Sequence, residues 1–209
     1  MIAAITLALS TLLGAQAEIS AAPHQEAAPA ALAPAIKGLI ADGGVRATAG
    51  GAQLDFWFVK ALRPKSAGAP SWTLLEEGTL VGAVRLSSDF RDIRGRSIKP
   101  GTYTLRYGIQ PQNGDHLGVS PFRDFLLLSP AGVDTDPAAR GHDPTVEMSI
   151  KTAGGSHPAV WSIDPPVASG EPLTTSTTEL GHKALIVEVP AGSAGMLRFG
   201  IVLVGRVDA

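Results

Sequence analysis

"IKPGTYTLRY", residues Ile98 to Tyr107, sets the reading of the whole chain. Pro100 fixes φ near about −65° and Gly101 tolerates positive φ, so the pair predicts the centre of a type II turn. Beyond the turn, Tyr103, Leu105 and Tyr107 share one parity, and Thr104 and Arg106 share the other. That period of two is the signature of a strand, with the bulky side chains directed at a core and Thr104 and Arg106 facing the other way. A turn followed by a strand accounts for every feature of the stretch, so it is read as structural and not as a catalytic loop.

Working outward, the same pattern recurs. "AQLDFWFVKAL" (Ala52 to Leu62) sets Leu54, Phe56 and Phe58 against Asp55, Trp57 and Val59. "SWTLLEEGTLVGAVRLSS" reads as a strand, a Glu-Glu-Gly turn and a second strand from Thr79 to Leu86. "DFLLLSP" is a continuous apolar strand stopped by Pro130, and "PAVWSID" is strand-like. "TVEMSIKTA" alternates Val146, Met148 and Ile150, but its length fits a strand or a short helix equally. "KALIVEVPAG" and "GMLRFGIVLVGRV" predict two long strands joined by the turn Pro190 to Gly195. The total is about eight to ten strands, with no amphipathic crossover helix for a parallel unit. The expected fold is all-β: a mostly antiparallel β-sandwich, of which a jelly roll is one form, with little helix.

Composition agrees. Of 209 residues only 17% are charged, while Gly (24) and Pro (16) are plentiful, as suits short strands and frequent turns. The formal charge is −2, and the cations are scattered, so no nucleic-acid partner is expected. There is no cysteine, which removes disulfides, thiolate metal sites and cysteine nucleophiles together.

The N-terminus, "MIAAITLALSTLLGAQA", is apolar from Ile2 to Leu13 and ends in a small-x-small pattern, Ala15-Gln16-Ala17. It predicts a secretory signal peptide over residues 1–17, cut after Ala17, and hence a periplasmic or extracellular protein. The run is too short for an ordinary membrane span, and no later segment is long enough for one. The absence of Lys or Arg before the apolar run leaves a buried N-terminal helix as the competing reading. Residues 18–35 are Ala/Pro-rich, with three Ala-Pro steps, and are expected to form a flexible arm. A single folded domain is then expected over 36–209.

Two resemblances attach to these residues. "PGTYTL" is similar to a turn-and-strand element of secreted β-sandwich modules, including the regulatory-type domains of carboxypeptidases and transthyretin-like modules. Over Leu75 to Ala131, the chain resembles a group of exported proteins of acidobacteria and similar environmental bacteria. The shared elements are the Pro-Gly-x-Tyr-Thr-Leu-Arg-Tyr core, a Gly-Asp-His loop and an Arg-Asp-Phe-Leu-Leu-Leu strand. No activity is assigned to that group. The resemblance implies export and a β-fold, and it carries no catalytic residue.

Candidate chemistry lies in the turns. "QPQNGDHLGVSPFRDF" is too long for a tight hairpin and holds Asp115 and His116, with Arg123 expected to pair with Asp124 or a nearby carboxylate. His142, His157 and His182 also sit beside turn signals. If these loops met at one end of the fold, His116, Asp115, His142 and His157 would supply a zinc or copper site. Independent surface histidines are the alternative, because no two have the close spacing of recurrent metal motifs. "DTDPAARGHD" has the acidity of a calcium loop, but Pro137 breaks its alternation. Trp57, Trp72 and Trp161 could stack on sugar rings or fill the core.

The sequence therefore points to an exported binding or structural module without catalytic activity, its partner an unknown small ligand, a glycan or a protein. A metal-binding protein or metal-dependent enzyme is the first alternative, and a carbohydrate-binding module the second. No nucleophile elbow, phosphate loop or dinucleotide fingerprint is present.

Overall fold

A computed structural model describes residues 19–93, 95–111, 122–154, 156–165 and 171–205. Its strands are β1 (Ile19–His24), β2 (Gly44–Ala49), β3 (Ala52–Phe58), β4 (Leu80–Leu86), β5 (Phe90–Arg91) and β6 (Ser97–Ile98), followed by β7 (Gly101–Ile109), β8 (Asp124–Pro130), β9 (Ala159–Asp164), β10 (Thr175–Thr177), β11 (Lys183–Pro190) and β12 (Met196–Val204). Two helices, α1 (Pro34–Lys37) and α2 (His142–Ala153), interrupt them.

The all-β, antiparallel expectation holds. β5 and β6 pair as a hairpin of their own, and the other ten strands form one sheet. Its order is β1-β2-β3-β4-β7-β8-β9-β12-β11-β10. The two end strands, β1 and β10, approach within 8 Å between Cα atoms. That large antiparallel sheet is curled almost into a barrel, which leaves little exposed edge. Among the described residues, no helix is long and apolar enough to cross a membrane.

The inside of the curl is filled with rings. Phe90, from the β5–β6 hairpin, stacks on Trp161 at 4.7 Å. Trp161 meets Phe56 edge-on at 5.3 Å. Farther along, Trp72 stacks on Tyr107 at 5.0 Å and meets Phe199 edge-on at 4.8 Å. The parity read from "TYTLRY" is correct, with Tyr103, Leu105 and Tyr107 all buried. The segment around Trp72 is not the strand expected there. Ser71 caps a 3₁₀ turn over Trp72–Leu74, and that turn lays the indole on Tyr107.

The N-terminal arm needs a larger correction. Residues 19–24 form β1, which pairs antiparallel with β2 in unbroken register. Pro23 is tolerated because β1 is a sheet-edge strand, where a missing N–H is least costly. The next residues are held from the outside of the sheet. Trp57 donates its indole N–H to the Glu26 carbonyl at 2.9 Å, and the His24 ring meets Trp57 edge-on. The folded domain thus begins at least as early as Ile19, not near Ile36.

Glu26 also joins a charged cluster across β2, β3 and β4. Arg46 bridges Glu26 at 2.5 Å and Asp55 at 2.6 Å, and Arg85 bridges the same two carboxylates at 2.7 and 2.6 Å. Burial alone would raise the Asp55 carboxyl, but hydrogen bonds from Arg46 and Arg85 outweigh it and hold the group below the usual carboxylate range. A depressed folded-state value stabilises the fold above the unfolded value of about 3.9, and that contribution is lost as pH falls through the folded value. Stability should therefore be flat from neutral pH down to about 5 and fall below about 4. Asp55→Asn should be less stable at pH 7 and show a shallower fall between those limits. Urea unfolding across that range checks both, and an equally steep fall in the variant would remove Asp55 from the explanation.

"TVEMSIKTA", left open between strand and helix, lies in α2. Its buried face is made of hydroxyls. Thr145 and Ser149 are buried, and Thr152 is partly so. Ser149 donates to the Ala159 carbonyl and accepts from the Ala159 N–H, both at 3.0 Å, and Thr152 donates to the Leu128 carbonyl at 2.8 Å. The spacing 145, 149, 152 is helical, but the face is not apolar, so a search for apolar periodicity passes over it. Gly154 ends the helix in the left-handed conformation.

Candidate functional site

The helix and the loop before it cover the outer face of β7 and β8. Arg106, read from parity as outward-facing, does point away from the barrel core, yet it is fully buried. Its Nε donates to Asp134 Oδ2 at 2.6 Å and its Nη2 to Asp134 Oδ1 at 2.8 Å. Nη1 donates to the carbonyls of Gly78 at 2.5 Å and Ala138 at 2.9 Å, and Nη2 also donates to the carbonyl of Asp136. These five bonds use every guanidinium N–H. Thr104 adds a bond to Asp134 Oδ2. Asp134 is thus committed to Arg106 and Thr104, and the calcium-loop reading of "DTDPAARGHD" has lost its first ligand. The arrangement fixes the backbone of residues 134–138 rigidly against β7.

That fixed loop is one wall of a groove of about 560 Å³, within the size range of small-molecule sites. Asp136 to Ala139 form the wall, and Leu39, Val59 and Leu80 supply apolar floor. The opposite wall carries Lys60, Arg63 and Lys65. Its backbone is also tied: Lys60 N–H to Leu39 O at 2.8 Å, Leu62 N–H to Pro190 O at 2.6 Å and Lys65 N–H to Leu74 O at 2.8 Å. Leu62 is buried beneath, so the exposed cations stand on an anchored segment. Lys60 donates to the Gly38 carbonyl at 3.0 Å. Arg63 and Lys65 have no side-chain partner among the described residues. On the loop side, the Ala138 N–H and the Arg140 guanidinium hold the Asp136 carboxyl below its ordinary range.

A second cavity, of about 600 Å³, opens beside the β5–β6 hairpin, the β2–β3 turn and the end of β12. Its charged groups serve the hairpin itself. Asp89 takes Lys99 at 2.8 Å and Ser97 at 3.0 Å, Arg91 donates to Gly95 O at 2.9 Å, and Asp92 accepts the Arg96 N–H at 2.9 Å. The first groove is the better candidate, because its cations stand on a tied backbone and Arg63 and Lys65 have no side-chain partner among the described residues.

The histidines are dispersed. Asp115 and His116 lie outside the described residues. His142 begins α2 and bonds Glu77 Oε1 through Nδ1 at 3.0 Å, while Glu77 Oε1 also accepts the Ile109 N–H. His157 is exposed beyond the far end of α2, a 12-residue helix about 18 Å long. His142 is thus engaged with Glu77, and His157 has no ligand-like partner among the described residues. Among the described residues, no three His, Asp or Glu side chains are grouped to hold a metal.

His182 makes a part-buried imidazole–carboxylate pair that sequence spacing gave no hint of. Its Nδ1 lies 2.8 Å from Asp164 Oδ2. Thr178 donates to the same oxygen at 2.7 Å, so the hydroxyl serves the carboxylate and not the imidazole. That is the order of a structural tie between β9 and the β10–β11 turn, and a base-activated nucleophile would need the reverse.

Arg123, expected to find a carboxylate, donates through Nε and Nη2 to the Gln110 carbonyl, and Asp124 instead accepts the Tyr107 hydroxyl at 2.7 Å. The tryptophans pack the protein: Trp57 and Trp161 are fully buried, and Trp72 spends its face on Tyr107. No protein-family model, curated protein or solved structure matches the chain.

Proposed function

We propose that this is an exported, non-catalytic binding module that takes a small ligand in the groove between Lys60–Lys65 and the Arg106-held loop. One observation carries the reading: two anchored walls enclose about 560 Å³, with Arg63 and Lys65 free of partners among the described residues. Binding sites need walls that do not move when the ligand arrives, because ordering a wall during binding subtracts from affinity. Here the folding interactions have already ordered both. The proposed export rests on the N-terminal apolar run and its small-x-small end, and on the resemblance to exported proteins.

The test is a thermal-unfolding screen against sugars, carboxylates, phosphates and short peptides, run on the protein and on an Ala61→Trp variant. Ala61 is exposed on the groove wall, so the indole fills the space without entering the core. A ligand at a hundredfold excess over its Kd should stabilise the unmodified protein by about 2.7 kcal/mol. The filled variant should not respond. A ligand that stabilises both proteins equally would place binding elsewhere and remove the groove from the reading.

A further inference from the structure

We infer that the groove's ligand is a small polyanion, and its chemistry is that of carboxylate, sulfate or phosphate groups arrayed on a compact body with an apolar side. The inference rests on the groove being the binding site.

The argument begins with local charge. Lys60, Arg63 and Lys65 face the groove from one wall, against Glu76 and Asp136. Asp136 is already matched by Arg140 at 2.9 Å. Glu76 makes no ion pair with any of the three cations among the described residues. The groove is therefore locally positive in a chain whose formal charge is −2. Arg46, Arg85 and Arg106 are committed to carboxylates in tight clusters, and Arg140 and Arg198 each make one ion pair. Arg63 and Lys65 depart from that arrangement beside a groove with room for a ligand.

Spacing supports more than one anionic group. Arg63 and Lys65 stand two residues apart around Pro64, which disfavours a helical turn at Arg63. On an extended segment, side chains two apart share a face and are separated by about 6.5–7 Å. A guanidinium offers a planar fork to one anionic group and the ammonium a point charge to the next. The floor of Leu39, Val59 and Leu80 would take the ligand's apolar side. An acidic oligosaccharide has all these features, and free inorganic anions share only the charge.

Isothermal titration at low salt tests this with three probes: trigalacturonate, its neutral trigalactose counterpart and inorganic phosphate. The proteins are the unmodified chain, Arg63→Gln/Lys65→Gln and the groove-filled Ala61→Trp, each first shown to unfold cooperatively. Trigalacturonate should bind the unmodified chain. Its affinity should fall about tenfold in the double variant, as expected from the loss of two exposed charge pairs. It should also weaken as salt rises past about 0.1 M, where charges farther apart than about 10 Å are screened. Phosphate that competes fully with trigalacturonate would support the anionic class and assign the ligand to free anions, not sugars. Trigalactose binding as well as trigalacturonate, with the double variant unaffected but Ala61→Trp inactive, would overturn the polyanion and keep the groove. Binding that survives Ala61→Trp, or no binding of any probe, would overturn the inference.

Discussion

Asp134→Ala should lower the unfolding free energy by about 3–5 kcal/mol, the usual cost of stranding one partner of a buried ion pair. Arg106 and Asp134 are both fully buried. Removing the carboxylate leaves a guanidinium with two of its five bonds gone and no water to replace them. Thr104 loses its carboxylate acceptor as well and keeps only the longer contact to the Ser129 carbonyl at 3.4 Å. The complementary variant separates charge from geometry. Arg106→Lys keeps the charge but cannot form the fork to Asp134 while also reaching the carbonyls of Gly78, Asp136 and Ala138, so it too should be destabilised. The double replacement Arg106→Met/Asp134→Leu removes both charges and should recover much of the stability lost in either single variant. It should not recover the groove, because the methionine cannot hold the carbonyls of Asp136 and Ala138. Urea unfolding reads the first set of effects, and the ligand assays above read the second. A double variant as unstable as Asp134→Ala would show that the carbonyl bonds, and not the ion pair, dominate.

Trp161→Ala should cost about 3–5 kcal/mol, as deleting a buried indole does elsewhere. The ring lies between Phe56 and Phe90 and is 2% exposed. Its N–H also donates to the Val202 carbonyl at 2.6 Å. That bond matters because β9 and β12 pair in register only at Gly200–Asp164 and Ile201–Ile163. Beyond that point the indole supplies the link across the two strands. Trp161→Phe keeps most of the packing but strands the Val202 carbonyl, at a cost of about 1–3 kcal/mol. Guanidinium unfolding separates the two variants. If Trp161→Ala cost less than about 1 kcal/mol, the interior would not be close-packed at this point.

Much of the fold was legible because strands announce themselves through a period of two. β7, β8 and the β11–β12 hairpin follow directly from Tyr103-Leu105-Tyr107, "DFLLLSP" and the two runs around Pro190 to Gly195. What escaped was set by contacts distant in sequence. Arg106 occupies a correctly assigned outward position, but its cover arrives 28 residues later with Asp134. A clue was present in "DFLLLSP", since an unbroken apolar strand implies that both of its faces are covered. Leu127, on the outer face, is indeed buried. The arm at 18–35 was misjudged because Ala and Pro signal extension and not pairing, and an edge strand accepts both. α2 was ambiguous because Thr145, Ser149 and Thr152 dock it through hydroxyls. The groove was not legible at all. Lys60, Arg63 and Lys65 are unremarkable in sequence and gain meaning only from the wall that faces them.

The order of strands also governs when the protein can close. From β1 to β9, each strand of the large sheet lies beside the one made just before it. The pattern then reverses: β9 is joined by β12, the last of the described strands, and β11 and β10 follow outward. The β9 edge therefore stays open until residues 196–204 exist, and these pairings span the greatest sequence distances in the final stretch of the chain. Contacts of that kind are the slow ones to form. A chain that folds as it is made would therefore hold an incomplete sheet until β12 is in place.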